Sequence, residues 1–138
     1  MFVLDTDTFT LLLRNDERVV LRRSRVSAEV VLTSITRIEV LQGRFASVVK
    51  AADRYQLLLA WDRLAESEEN LGAFEILPLD EATAAEFERL LGTKGLRRIG
   101  RGDLLIASTV FANKATLVTR NVKDFEKVPG LKMENWVD

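Results

Sequence analysis

Short apolar runs alternate along the chain with longer segments in which apolar residues recur at helical spacing. The apolar runs predict five strands, at residues 1–4, 30–33, 74–78, 116–119 and 131–134, the last a short edge strand. Helices are predicted after the polar cluster at 5–8, from Thr36, and over residues 46–71, 81–91 and 104–112. A charged stretch at 14–25 separates the first helix from the second strand. Strands that alternate with helices predict an α/β fold, a three-layer α/β/α sandwich around a mostly parallel sheet.

The segment 46–71 is apolar over more than one helical face. Val48 and Leu59 belong to one stripe, and Trp61 and Leu64 belong to a second. Two short helices would account for this pattern, and so would one helix that a partner covers.

Carboxylates stand where these apolar segments meet a turn or a helix start. Asp5 follows the first strand, Glu39 lies near the start of the helix after the second strand, and Asp103 is predicted to open the helix at 104–112. Asn121 and Asp124 follow the fourth strand. Because ligands of open α/β sheets collect at the carboxyl ends of the strands, all of these residues are expected to meet at one edge. Gathered carboxylates need a cation, so the pattern suggests a metal site.

The amino-acid composition limits which nucleophiles, bases and metal ions the site could use. The 138 residues include no histidine and no cysteine, which excludes thiol nucleophiles, imidazole bases and soft-metal sites. Hard cations such as Mg²⁺ or Mn²⁺, which take oxygen ligands, remain. The net charge of -1 gives no global cationic field. The length predicts a single domain over residues 1–138, and the lack of a signal segment or membrane span makes a cytoplasmic protein the expectation.

Four segments, in this order, resemble the PIN-domain ribonucleases, and more closely the VapC-type toxins of bacterial toxin-antitoxin pairs. They are Val3-Leu4-Asp5-Thr6-Asp7, residues 33–43 around Glu39, residues 99–107 around Asp103, and residues 117–125 from Leu117 to Phe125. The ending at 128–136 is also similar to the tail of that family. The resemblance therefore covers nearly the whole chain and implies a PIN-like fold.

The resemblance implies metal-dependent endonucleolytic cleavage of RNA by a toxin that inhibits translation or growth. The implied catalytic acids are Asp5, Glu39, Asp103 and Asp124, and the implied ligands of Mg²⁺ or Mn²⁺ are the same four residues together with Asn121. Members commonly carry Asn where this chain has Asp7, and Asp where it has Asn121. The fourth acidic position therefore stays open between Asn121 and Asp124. Side chains expected to orient the ligands are those of Thr6, Asp7, Ser34, Thr36 and Thr119.

The expected substrate contact is a basic loop that precedes Asp103. Lys94, Arg97, Arg98 and Arg101 lie among four glycines and would bind RNA phosphates locally. The family likeness points to structured RNA such as transfer RNA. It also implies a homodimer, a cognate protein antitoxin, and contact with DNA only through that antitoxin.

Two other functions and a structural explanation compete with this hypothesis. The run from Phe2 to Thr8 also resembles the nucleophile motif of haloacid-dehalogenase-like phosphatases, with Asp5 as the nucleophile. A non-catalytic binding module with a degenerate acidic pocket is the other alternative. Structurally, Asp5 and Asp103 suit helix caps, and Glu39 suits the return partner of a capping box with Thr36.

Overall fold

Five parallel strands form the centre of the protein, and seven helices surround them. The computed structural model describes all 138 residues. In chain order the elements are β1 (Phe2–Leu4), α1 (Thr6–Leu13), α2 (Glu17–Arg25), β2 (Val30–Thr33), α3 (Ser34–Val49), α4 (Arg54–Gly72), β3 (Ile76–Leu77), α5 (Glu81–Leu91), α6 (Arg101–Ala112), β4 (Thr116–Val118), α7 (Val122–Phe125) and β5 (Met133–Glu134). The sheet order is β3-β2-β1-β4-β5, and every neighbouring pair is parallel.

The sheet is covered on both faces, as three layers require. Successive strand residues alternate between two separate hydrophobic clusters, because side chains of a strand point to opposite faces. In β1, Val3 belongs to one cluster and Leu4 to the other, and Leu117 and Val118 of β4 divide in the same way. The predicted three-layer α/β/α sandwich is confirmed, and the sheet is wholly parallel.

The strand order places the topological switch at β1. The chain steps from β1 to β2 and β3 on one side, then returns to β4 and β5 on the other. The helices that follow β1, β2 and β4 therefore begin at the same edge of the sheet, beside one another. This edge is where an open parallel sheet receives its ligand.

Several predicted boundaries change. Of the predicted helical segment 46–71, residues 46–49 end α3 and residues 54–71 belong to the single long helix α4, so the segment breaks but does not form two short helices. The charged stretch at 14–25 contains α2, whose buried residue is Val19. The third strand is only Ile76–Leu77 and the fifth only Met133–Glu134. The turn after β4 contains the short helix α7, which the sequence pattern did not indicate.

Two predicted helix starts are wrong. The N-cap of α3 is Thr33, whose side chain accepts a hydrogen bond from the N–H of Thr36, so Glu39 lies too far into the helix to serve a capping box. Helix α6 begins at Arg101 after the N-cap Gly100, so Asp103 lies in its first turn and does not cap it. Two expected site residues are N-caps: Asp5 caps α1 with its side chain, whereas Asn121 precedes α7 without a side-chain cap hydrogen bond.

The cap of α3 gives a test of how the fold holds Glu39. Thr33 is fully buried, and its Oγ1 accepts from the Thr36 N–H at 3.1 Å. Thr33→Ala is expected to lower the free energy of unfolding by about 1 kcal/mol, the usual effect of losing an N-cap. Thr33→Ser keeps the hydroxyl and should lose less. Urea denaturation of both variants measures the difference, and equal losses would contradict the capping role.

The longest helix, α4, has 19 residues, and none of the helices combines the length and apolar character needed to cross a membrane.

Candidate active site

Asp5 anchors the site at the end of β1. Its backbone N–H donates to the Val118 carbonyl at 3.0 Å, and its Oδ1 accepts from the Thr8 N–H at 2.9 Å. The side chain is buried, and this burial raises the pKa of the Asp5 carboxyl, with a smaller contribution from the charge of Asp7. The hydroxyl of Thr119 and the N–H of Thr8 face the carboxylate and oppose this rise.

Glu39 reaches the same edge from α3 and is held on two sides. Its Oε1 accepts from the Thr6 hydroxyl at 2.7 Å, and the Thr6 Oγ1 lies 3.0 Å from the Thr36 Oγ1. Because a hydroxyl has one proton, Thr6 donates to Glu39 and accepts from Thr36. On the other side, the start of α6 lies against this carboxylate, since a methyl group added at Gly102 would make an ordinary contact with Oε2 of Glu39 at 3.4 Å.

Asp103 lies where the other acids converge. The group is half-buried, and desolvation is the largest cause that raises the pKa of the Asp103 carboxyl. The charges of Glu39, Asp5, Asp7 and Asp124 raise it further, in that order. All four carboxylates are therefore near enough to Asp103 to act on its charge.

The segment after β4 contributes Asp124. Asn121 donates from its side-chain Nδ2 to Oδ2 of Asp124 at 3.0 Å, and its backbone N–H donates to the Thr119 Oγ1 at 3.0 Å. Asn121 therefore fixes the Asp124 carboxylate, whose charge acts on Asp103. This arrangement favours Asp124 as the fourth charge of the site and gives Asn121 a positioning role.

The donor set suits a hard cation. None of the four ion pairs of the protein includes Asp5, Asp7, Glu39, Asp103 or Asp124, so these acids have no basic partner. As the side chains lie, no three of them form a group that could hold a metal ion. Mg²⁺ is usually bound through one or two carboxylates while waters and substrate phosphates complete its shell. The residues therefore fit a water-completed Mg²⁺ or Mn²⁺ site and not a closed protein cage.

Two groups of expected site residues make no hydrogen bond or ion pair with the acids. The Ser34 hydroxyl donates to the Leu77 carbonyl at 2.9 Å and so ties α3 to β3. Lys94, Arg97 and Arg98 are exposed on the loop before α6, and the Arg101 guanidinium lies over the Phe87 ring, 5.9 Å from its centroid. The contacts of Thr6, Thr36 and Thr119, in contrast, all lie beside the carboxylates.

Sequence patterns did not identify two contributors. Gly102 brings the start of α6 against Glu39, and Thr8 contributes its backbone N–H to Asp5. The run Asp5-x-x-Thr8 does contain a signal for the second, because an N-cap carboxylate accepts from an N–H two or three residues later.

The hydroxyl pair of Thr6 and Thr36 gives a test of how Glu39 is positioned. Thr6→Val removes the donor to Glu39 at nearly constant shape, and the RNA cleavage that the resemblance implies is expected to fall by about 10–100-fold, the usual effect of losing the hydrogen-bond partner of a metal ligand. Thr6→Ser restores the hydroxyl and should recover most of the rate. Initial cleavage rates at saturating Mg²⁺ measure both variants. A Ser variant as slow as the Val variant would contradict the positioning role.

The parallel sheet and the carboxylates at its edge define an α/β protein with an acidic site at the carboxyl ends of its strands. The family model described as PIN domain matches residues 2–131. The chain belongs to the PIN-domain family, and the resemblance seen in its motifs is confirmed.

Individual relatives agree with this assignment. The chain is 53% identical over 51 residues, 37% of each chain, to ribonuclease VapC2 of Rickettsia felis. It is 27% identical over 139 residues to the tRNA(fMet)-specific endonuclease VapC of Salmonella typhimurium, an alignment that covers 98% of this chain and 97% of the relative. A crystal structure of DNA-bound VapBC from Salmonella typhimurium has a chain with a TM-score of 0.77 and 27% identity, covering 98% of this chain and 97% of that one.

The alternative phosphatase hypothesis finds no support. The matching family and the relatives are PIN-domain and VapC proteins, and none is a haloacid-dehalogenase-like enzyme.

Proposed function

We propose that this protein is a metal-dependent endoribonuclease that hydrolyses RNA phosphodiester bonds and acts as the toxin of a toxin-antitoxin pair. The observation that carries the proposal is the position of Asp103, half-buried among four other carboxylates that have no basic partner. A folded protein keeps such an unfavourable group when a cation joins it for function. The VapC names of the relatives support the choice of RNA as substrate.

The site residues have three proposed roles: binding the cation, accepting a proton and positioning the carboxylates. Asp5, Glu39, Asp103 and Asp124 would bind Mg²⁺ or Mn²⁺, one or two of them directly and the others through its waters. When bound, such a cation lowers the pKa of water and offsets negative charge on a phosphate. Asp103, which lies among the other acids, is placed to accept the proton of the attacking water. Thr6 keeps Glu39 aimed at the site, and Asn121 does the same for Asp124.

The basic loop would bring RNA to this edge. Lys94, Arg97 and Arg98 are exposed, and the loop leads directly into α6, which carries Asp103. Exposed cations bind phosphates without reading sequence. Transfer RNA is the candidate substrate, because one relative is named as a tRNA(fMet)-specific endonuclease. Such a substrate would place the activity in the cytoplasm.

A cognate antitoxin and a second copy of the chain are the proposed protein partners. The helix pair α3 and α4 exposes large apolar side chains, among them Tyr55, Leu58 and Trp61 at 74%, 59% and 55% of their surface. A contiguous exposed apolar face marks an interaction site. The DNA-bound VapBC complex supports an antitoxin partner, and contact with DNA would occur only through that antitoxin.

The experiment is a cleavage assay with purified protein, total RNA and isolated transfer RNA at saturating Mg²⁺. Internal cleavage of RNA is expected, and a small phosphate monoester in the same buffer should stay intact. An RNA that remains whole over the full time course would contradict the proposed activity.

A further inference from the structure

A cavity of about 370 Å³ opens beside the acidic site, between α1, α3 and α4. Thr6 and Glu39 form one side of it, so the cavity is continuous with the site. Three arginines, Arg14, Arg44 and Arg63, line the rest together with a single further carboxylate, that of Glu66. We call this cavity the arginine groove. Its cations come from helices far from the basic loop at 92–100.

The helices that form the arginine groove face each other with polar side chains. Glu39 and Gly43 are four residues apart on α3, and Arg63 and Ser67 are four residues apart on α4, so each pair lies on one helical face. The Arg44 Nε donates to the Ser67 Oγ at 2.9 Å, and Ser67 is buried. The Arg44 side chain is therefore fixed in the groove and is not a freely moving surface chain.

These arginines have no ionic partner within the protein. None of Arg14, Arg44 and Arg63 belongs to any of the four ion pairs. Arg44 and Arg63 also line a second cavity of about 310 Å³, which adds Lys50. The two cavities share Arg44 and Arg63, so basic side chains line a continuous surface that extends from Glu39 along α3 and α4.

Gly43 lies on the α3 side of the arginine groove. It lies inside α3, where glycine weakens a helix relative to alanine. A Cβ at this position would meet no atom within 4 Å, so packing within the chain does not require the glycine. The open space faces the groove that the arginines line.

We propose that the arginine groove binds the phosphates of the RNA substrate that neighbour the cleaved bond. Successive phosphates are joined covalently, so a strand with one phosphate at the acids must place the next ones on the adjoining surface. Guanidinium groups suit this role because their planar donors match phosphate oxygens. This inference rests on the proposed ribonuclease function and adds to it a path for the strand. An acidic protein segment is the competing occupant.

The test uses two substitutions of equal size at Gly43 in the full chain. Glu and Gln are both good helix formers, so Gly43→Glu and Gly43→Gln differ mainly by one charge in the groove. Binding of a single-stranded RNA oligonucleotide is measured with an Asp103→Asn background that prevents cleavage. We expect Gly43→Glu to weaken binding at least about tenfold more than Gly43→Gln, because the added carboxylate repels phosphate.

A second variant removes a cation from the groove. Arg63→Gln is expected to reduce the slope of log affinity against log salt by about one, as the loss of one phosphate contact predicts. Arg25→Gln is the matched control, since Arg25 is exposed at the end of α2, before β2 begins, and so lies toward the opposite edge of the sheet. The control should keep the slope and the cleavage rate of the parent protein.

The outcomes separate the two proposals. If the parent protein cleaves RNA but the Glu and Gln variants bind it equally and Arg63→Gln keeps the salt slope, the arginine groove is wrong and the ribonuclease function stands. If the groove variants lose affinity for a poly-glutamate peptide and not for RNA, the occupant is an acidic protein segment and the inference is overturned. If the parent protein does not cleave RNA, both proposals fall.

Discussion

Replacement of Asp103 by asparagine should abolish RNA cleavage while leaving the fold intact. The substitution removes a carboxylate that would hold the cation and accept a proton, and it keeps the shape of the side chain. A bound cation contributes several kcal/mol to transition-state stabilisation, so a loss of about 10³-fold or more is expected. Initial rates on transfer RNA measure it. Asp62→Asn, an exposed acid on α4, is the matched control and should cleave at the normal rate.

The same substitution should stabilise the metal-free protein at neutral pH. Burial and neighbouring charges raise the pKa of Asp103 above its ordinary value of 3.8, so the folded state binds its proton more tightly than the unfolded state. The resulting stability is fully present below the unfolded pKa and is lost as pH rises through the folded pKa. Asp103→Asn should therefore have a higher melting temperature than the parent at pH 7.5 with chelator. At pH 3.5 the melting temperatures of the two proteins should be nearly equal. An equal difference at both pH values would contradict the linkage.

Removal of divalent cations should abolish cleavage as completely as Asp103→Asn does. Acids without a basic partner have no other charge to gather them, and water at an ordinary pKa is a poor nucleophile. Cleavage should vanish in excess chelator and return when Mg²⁺ or Mn²⁺ is added above the chelator concentration. Mg²⁺ should also raise the melting temperature, because a ligand that binds only the folded state stabilises it.

The variant Asp103→Asn is the control for this second experiment. Its melting temperature should respond less to Mg²⁺ than that of the parent, since one ligand is missing. Cleavage that persists in chelator would show that the acids work without a cation.

The layered fold was predictable because its strands are short apolar runs between polar turns. Val3 and Leu4, or Leu117 and Val118, sit on opposite sheet faces as strand alternation requires. Helix α2 was missed because a charged segment buries only Val19, which leaves almost no apolar stripe to detect. The start of α3 was misplaced because Thr33 serves both as the last strand residue and as the cap, and spacing alone cannot separate these roles.

The sequence predicted which acids lie at the sheet edge but not which side chains contact them there. Asp5, Glu39, Asp103 and Asp124 follow from which segments end at that edge. The direction of each hydroxyl depends on helix phase, which spacing does not give, so Ser34 was expected beside the acids and instead binds the Leu77 carbonyl. The arginine groove was also missed, because Arg14, Arg44 and Arg63 are scattered in sequence and meet only when α1, α3 and α4 pack.

Asp5 has two roles, and this affects the choice of an inactive variant for producing the protein in a living host. The carboxylate that would hold the cation also accepts the Thr8 N–H that starts α1. An inactive variant made by substituting Asp5 would therefore lose the N-cap of α1 together with catalysis. Asp103 caps no helix, so Asp103→Asn should remove catalysis while α1 stays intact, and it is the better variant for crystallising the protein with an uncleaved RNA.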